Sequence, residues 1–207
     1  LPASGYVGAQ FTPAVGWAHA VQYHVESMGE EEYRGAVGLA HAGDGATSTN
    51  GFWSAINIGA QHRLPYIMLI EDNQYALSVP WRYQSAAPSV VDNLASFQGI
   101  RIQSVEGGEI EALYGVIQSA IDGARKGEGP QLLHVKVPRL TGHNWQDPAA
   151  YKSAEEKAED ARRDPLARLI TWLQDERGVS AARIAEMTEQ AAAFALEQGE
   201  AAWTQGH

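Results

Sequence analysis

Three short apolar runs, GAVGLA (35–40), YIMLIE (66–71) and QLLHVKV (131–137), are separated by stretches whose apolar residues recur at helical spacing. Runs this short and this apolar read as strands buried on both faces, and their alternation with helices favours a parallel sheet covered on both sides. The expected fold class is therefore α/β, a doubly wound parallel sheet. The flanking pattern predicts helices over 12–23, 50–62 and 109–125 and a further strand over 99–105, with Pro65 marking the break before the second run. Residues 78–97 carry two prolines and no strong period, which predicts a long loop of the kind kept for binding.

A second long loop runs from Pro138 to Lys152. Beyond it, Ser153 to Arg163 is strongly polar and reads as a solvated helical face, and Asp164-Pro165 makes a break. Leu166, Leu169, Ile170 and Leu173 form one apolar stripe, and 184–203 is rich in Ala, Glu and Gln at helical period. The expected organisation is an α/β domain over 1–152 and a helical tail over 153–207 that packs on that domain or on a partner.

Charge and cysteine content narrow the function classes. Twenty-five acidic residues against fifteen basic give a formal net charge of −10, which disfavours attraction to nucleic acid phosphates or anionic lipid, so neither partner is expected. The absence of cysteine excludes a disulfide framework, a thiolate metal site and a cysteine nucleophile, and fits a cytoplasmic enzyme of bacterial type. The longest uninterrupted apolar run, 66–70, is far below the roughly 20 residues of a membrane-spanning helix. The opening LPASGYVGAQ lacks a basic stretch leading into an apolar one and reads as an internal segment with further chain upstream.

The chemistry centres on Gly43-Asp44-Gly45, placed just after a buried strand and followed by ATSTNG and a helix. A glycine turn between strand and helix aims backbone N–H groups, and the positive end of the helix dipole, at an anion such as phosphate. Asn73 follows 29 positions after Asp44, at the carboxyl end of the next strand, where adjacent parallel strands bring their ends together. A carboxylate, an amide oxygen and a backbone carbonyl at the turn Gln74-Tyr75 make an all-oxygen set suited to Mg²⁺, which keeps phosphate oxygens in its shell.

GDG, then 26 residues, then Asp72-Asn73 resembles the thiamine diphosphate signature of the α subunits of pyruvate and branched-chain 2-oxo acid dehydrogenases. GYVGAQ (5–10) with AVG (14–16), NIGAQHRLP (57–65), EDNQYALSVP (71–80), PRLTGH (138–143) and QDPAAYKS (146–153) resemble family segments in the same order. The resemblance implies thiamine diphosphate and Mg²⁺ as cofactors, with Asp44 and Asn73 as side-chain metal ligands and the Tyr75 carbonyl as a third. It implies that Gly43, Gly45 and Ala46 cradle the diphosphate and that Gly5 and Val7 meet the aminopyrimidine through their backbones. Leu77 would wedge the cofactor into its bent shape, Arg139 would help hold loop and diphosphate, and His143 would bind cofactor and handle protons as the catalytic residue.

By the same resemblance the activity is oxidative decarboxylation of a 2-oxo acid, pyruvate or a branched-chain one, with acyl transfer to a lipoyl-bearing acyltransferase core. The implied partner is a β subunit in an α₂β₂ heterotetramer, which supplies the glutamate that this chain lacks for the pyrimidine. Asp72 departs from the family's first Asn and is expected to add negative charge near the diphosphate. Two alternatives stay open. One is a related thiamine diphosphate enzyme, such as acetoin dehydrogenase or a fused α–β form; the other is a non-catalytic fragment or interaction domain that kept the fold.

Overall fold

The computed structural model describes residues 5–204. Helix α1 (Phe11–Glu26) leads to strand β1 (Gly38–Gly43), a 3₁₀ turn (Asp44–Ser48), helix α2 (Asn50–His62) and strand β2 (Tyr66–Asp72). A two-strand hairpin, β3 (Tyr75–Ala76) and β4 (Val79–Pro80), precedes a 3₁₀ turn (Trp81–Tyr83) and the short helix α3 (Val90–Asn93). Then come β5 (Arg101–Glu106), α4 (Ile110–Arg125), β6 (Gln131–Lys136), α5 (Ala154–Arg162), α6 (Pro165–Asp175) and α7 (Ala181–Thr204).

The main sheet has the order β1-β2-β6-β5, with every pair parallel. Residue parity assigns its two faces. Ala40, Ala42, Tyr66, Met68, Ile70 and Leu132 meet α1 and α2, whose buried positions follow the helical i, i+3, i+4, i+7 pattern: Phe11, Ala14, Val15, Ala18 and Phe52, Ala55, Ile56, Gly59. Ile67, Leu133 and Val135 point the other way and meet Ala120 and Ala124 of α4. Helices on opposite faces make the sheet doubly wound, as the alternation of runs predicts.

The 35–40 run pairs three residues later than its apolar character suggests. Gly35 sits at φ +84° and Gly38 N–H donates to Pro65 C=O, so the ladder begins only at Gly38. The predicted loop 78–97 is folded: Trp81, Val90 and Leu94 enter the core, and Trp81 Nε1 donates to Ala87 C=O at 2.8 Å.

The chain divides into two compact units after Asp164, rather than after 152. Helix α5 opens with a capping box of Ser153 and Glu156 and belongs to the first unit. It is tied there by Tyr75 O–H donating to Glu156 at 2.8 Å, by the Lys152–Asp160 ion pair, and by Arg163 to Glu106 at 2.9 Å. In the second unit, α6 half-buries the predicted stripe positions Leu169, Ile170 and Leu173 but leaves Leu166 exposed, and α7 exposes Phe194, Leu196 and Trp203. No helix among the described residues is long and apolar enough to cross a membrane.

Close helix-to-sheet approach depends on absent side chains. A Cβ on Gly38 would lie 2.4 Å from Ala14 C=O and 2.9 Å from Ala18 Cβ. Gly38→Ala is therefore expected to lower unfolding free energy by about 1–3 kcal/mol through overpacking. Urea denaturation checks this; an unchanged midpoint would mean that α1 does not seat on the strand.

Candidate functional site

Every predicted site residue from Gly43 onward lies at or beyond the carboxyl end of a strand: Gly43 as the last residue of β1 with Asp44, Gly45 and Ala46 after it, Asn73, Tyr75 and Leu77 in the segment and hairpin after β2, and Arg139 and His143 after β6. The β1–α2–β2 connection covers one face and β5–α4–β6 the other, and the carboxyl ends of the adjacent parallel strands β1, β2 and β6 lie along one edge of the sheet. A 3₁₀ turn stands where the sequence predicts a bare glycine turn, held by Thr47 Oγ1 donating to Asp44 C=O at 2.7 Å. A Cβ on Gly45 would fall 2.5 Å from Ala76 Cβ, so the turn packs directly on the β3 strand.

Asp44 is fully buried, and neither carboxylate oxygen has a hydrogen-bond partner. Burial, then the neighbouring Asp72 charge, raises its pKa to about 7; nearby N–H groups of Asn73, Asp44 and Gly45 pull the other way without closing a hydrogen bond. Such a carboxylate is stable as an anion only beside a cation. Among the described residues, no group of three or more His, Cys, Asp or Glu side chains is arranged for a metal. A cation at Asp44 must therefore draw on amide, carbonyl or ligand oxygens.

Asn73 carries one such amide oxygen. Its Oδ1 accepts from Tyr75 N–H at 3.0 Å. Gln74 C=O accepts from Trp81 N–H, which makes Tyr75 and Pro80 the non-bonded pair of the hairpin. The Tyr75 N–H and C=O therefore point out of the hairpin on the edge where Asn73 lies. Gln74 (φ +65°) and Leu77 (φ +53°) are both left-handed, a conformation costing on the order of 1 kcal/mol unless surroundings fix it. Leu77 is 59% exposed, and its carbonyl accepts from the Arg139 guanidinium.

Arg139 is buried and also donates to His143 Nδ1 at 3.0 Å. A guanidinium has no acceptor, so Nδ1 must be the bare nitrogen, and the exposed imidazole carries its proton on Nε2. Asp147 shapes this loop, accepting from His143 N–H at 2.7 Å, Ala149 N–H at 2.9 Å and Tyr151 O–H at 2.8 Å. Those N–H groups, first that of His143, hold the Asp147 carboxyl below the usual range. Gly5 and Val7 are exposed and belong to the segment whose Gly8 abuts Thr49, with a built Cβ 2.3 Å from Thr49 Oγ1. They lie beside the 46–51 segment but share no hydrogen bond with the Asp44 or Arg139 groups among the contacts described.

Asp72 is buried and paired. Parity turns it to the α1/α2 face with Ile70 and His134, and His134 Nε2 meets Asp72 at 2.6 Å, both side chains 2% exposed. Burial works against its ionisation, but hydrogen bonds from His134 and Gln74 prevail and hold its pKa below the ordinary carboxylate range. Its negative charge still reaches Asp44 but is largely answered by its own donors. His134, expected as an ordinary strand residue, is thus part of the site's support, and no local pattern links positions 62 apart.

Against an ordinary value of 3.8, the folded chain holds the Asp44 proton more tightly. Its contribution to stability is present below about pH 4 and is lost as pH rises through about 7. Asp72 acts in the opposite sense, but only in the acid range below its ordinary value. Without metal, Asp44→Asn is expected to be more stable than the parent chain at pH 8 by at least about 1 kcal/mol, the gap closing towards pH 4. Urea midpoints across that range check it, and a pH-independent gap would contradict it.

The family model described as dehydrogenase E1 component matches residues 1–205. The chain is 36% identical over 178 residues to the 3-methyl-2-oxobutanoate dehydrogenase subunit alpha of Mycobacterium tuberculosis, covering 84% of this chain and 46% of that one. It is 32% identical over 171 residues to the pyruvate dehydrogenase E1 component subunit alpha of Staphylococcus aureus, covering 82% and 44%. The chain thus spans under half the length of these relatives. With the motif order, the parallel sheet and this match in agreement, the chain belongs to the dehydrogenase E1 component family.

Proposed function

We propose that this chain is the cofactor-binding part of the α subunit of a thiamine diphosphate-dependent 2-oxo acid dehydrogenase. The observation that carries the reading is the buried, unpartnered Asp44 carboxylate at the end of β1, beside a turn that presents Asn73 Oδ1 and the Tyr75 carbonyl. These are hard oxygen donors of the kind Mg²⁺ takes together with phosphate oxygens. Asp44, Asn73 and Tyr75 would hold the metal, and Gly43, Gly45 and Ala46 the diphosphate, with Gly45 lacking the Cβ that would clash with Ala76 on the turn beside it. Gly5 and Val7 would offer backbone groups to the ring end of the cofactor.

When bound, thiamine diphosphate supplies a nucleophilic carbon and an electron sink for loss of carbon dioxide from a 2-oxo acid. The chain's own residues orient and exchange protons. Exposed Leu77, pinned through its carbonyl by Arg139, presents an apolar surface to the cofactor. His143, with Nδ1 occupied by Arg139, offers Nε2–H as a hydrogen-bond donor to a substrate oxygen. Tyr6, Val7, Leu77 and Trp145 are 85%, 69%, 59% and 91% exposed, which suits a site completed by a β subunit.

The names of the relatives support pyruvate or a branched-chain 2-oxo acid as substrate. An α₂β₂ assembly in the cytoplasm, docked on a lipoyl-bearing acyltransferase core, goes with that reading. The test is calorimetric titration of the chain, with its β subunit, by thiamine diphosphate with and without Mg²⁺. Binding is expected to require the metal and to be lost in Asp44→Ala; metal-independent binding, or binding unchanged by that substitution, would contradict the assignment. In the same assembly, His143→Gln is expected to keep cofactor affinity within about threefold while turnover falls about 10²–10⁴-fold.

A further inference from the structure

The turn that carries Asn73 and Tyr75 is held by a hydrogen-bonded chain that crosses three strands and is buried at its central Asp72–His134 pair. Ser104 on β5 meets His134 Nδ1 at 2.8 Å, and His134 on β6 meets Asp72 Oδ2 through Nε2 at 2.6 Å. Asp72 then grips Gln74: Oδ1 accepts its N–H at 2.9 Å and its side-chain amide at 2.7 Å, and the same amide reaches Oδ2 at 2.9 Å. An ionised carboxylate only accepts, so His134 donates from Nε2 to Asp72, and its Nδ1 lies within hydrogen-bond distance of the Ser104 hydroxyl.

Its geometric effect falls on the residues either side of Asn73. Asp72 is anchored in the sheet, and Gln74 is held in the left-handed conformation (φ +65°) that a side-chain-bearing residue adopts only under restraint. Between these two points the Asn73 side chain bonds Tyr75 N–H, and Tyr75 continues into the hairpin that packs on Gly45. Release of Gln74 to an ordinary φ would redirect both the Asn73 side chain and the Tyr75 carbonyl.

We propose that Asp72 and His134 are positioning residues for the divalent-cation site: through their buried pair the central strands set the Gln74 turn that aims Asn73 and Tyr75 at Asp44. This rests on the reading of Asp44, Asn73 and Tyr75 as the cation's ligands. Neither Asp72 nor His134 touches the cation, and both act by fixing backbone. An amide at 72 can replace the carboxylate, its Oδ1 accepting from Gln74 N–H and its Nδ2 donating to His134 in the other tautomer, whereas an apolar residue cannot.

The test measures Mn²⁺ affinity by electron paramagnetic resonance in the presence of thiamine diphosphate, on the whole chain with its β subunit, for the parent, Asp72→Asn and Asp72→Ala. Amide hydrogen exchange of Gln74 and Tyr75 is followed in the metal-free parent. Mn²⁺ affinity is expected to stay within threefold in Asp72→Asn and to fall at least tenfold in Asp72→Ala, including when compared at temperatures equally far below each protein's Tm. The Gln74 amide, on an exposed residue, is expected to exchange at least a hundredfold slower than in an unstructured peptide. Equal Mn²⁺ affinity in parent and Asp72→Ala would overturn the proposal, as would loss in Asp72→Asn as large as in Asp72→Ala. If Asp72→Ala does not fold, an unprotected Gln74 amide in the parent overturns it by itself. No Mn²⁺ binding by the parent would instead remove the ligand assignment on which it rests.

Discussion

A carboxylate sealed from water, with no hydrogen bond to either oxygen and a second acid close by, is the constraint around which this domain is organised. Left alone, Asp44 is better off protonated near neutral pH, and the fold bears that unfavourable placement at the end of its edge strand. The surrounding groups make the arrangement intelligible. No basic side chain is supplied to neutralise Asp44, and the oxygens of Asn73 and Tyr75 lie on the turn packed against it. A buried carboxylate without a hydrogen bond, beside further oxygen acceptors, is complementary to a cation.

The sheet delivers these groups by topology more than by any one contact. Strands β1 and β2 are neighbours, so their exits bring residues 44 and 73 together although 29 positions separate them. Glycine and alanine at 38, 40, 42, 55 and 59 let α1 and α2 lie close on one face, while α4 covers the other. The loop after β6 then reaches back: Arg139 holds the Leu77 carbonyl and the His143 ring at once, coupling the hairpin after β2 to the loop after β6.

Much of this was legible in the sequence because it rests on local periodicity and on short motifs. The 66–71 and 131–137 runs and the 50–62 helix stand where the pattern puts them, within a residue at each end. The first strand slid by three residues because a glycine turn and the Pro65 carbonyl, not apolar character, decide where its ladder starts. The 78–97 segment read as loop because its anchors, Trp81, Val90 and Leu94, have no common period and meet only in the core. Among site residues, Asp44, Asn73 and Arg139 were visible through motif and position. The Asp72–His134–Ser104 chain was not, since pairing between strands so far apart in sequence leaves no trace in any window, and Asp72 read as a stray charge until its partners were seen.

The central claim is that Asp44 and a phosphate share one divalent ion. Pulsed electron paramagnetic resonance of the chain with its β subunit, loaded with Mn²⁺ and thiamine diphosphate, tests this most directly. The account predicts a ³¹P coupling typical of directly bound phosphate oxygen, together with a ¹³C coupling when aspartate carboxylates are labelled, the latter absent in Asp44→Asn. A bound Mn²⁺ with neither coupling, or with a ¹³C signal that survives Asp44→Asn, would contradict it.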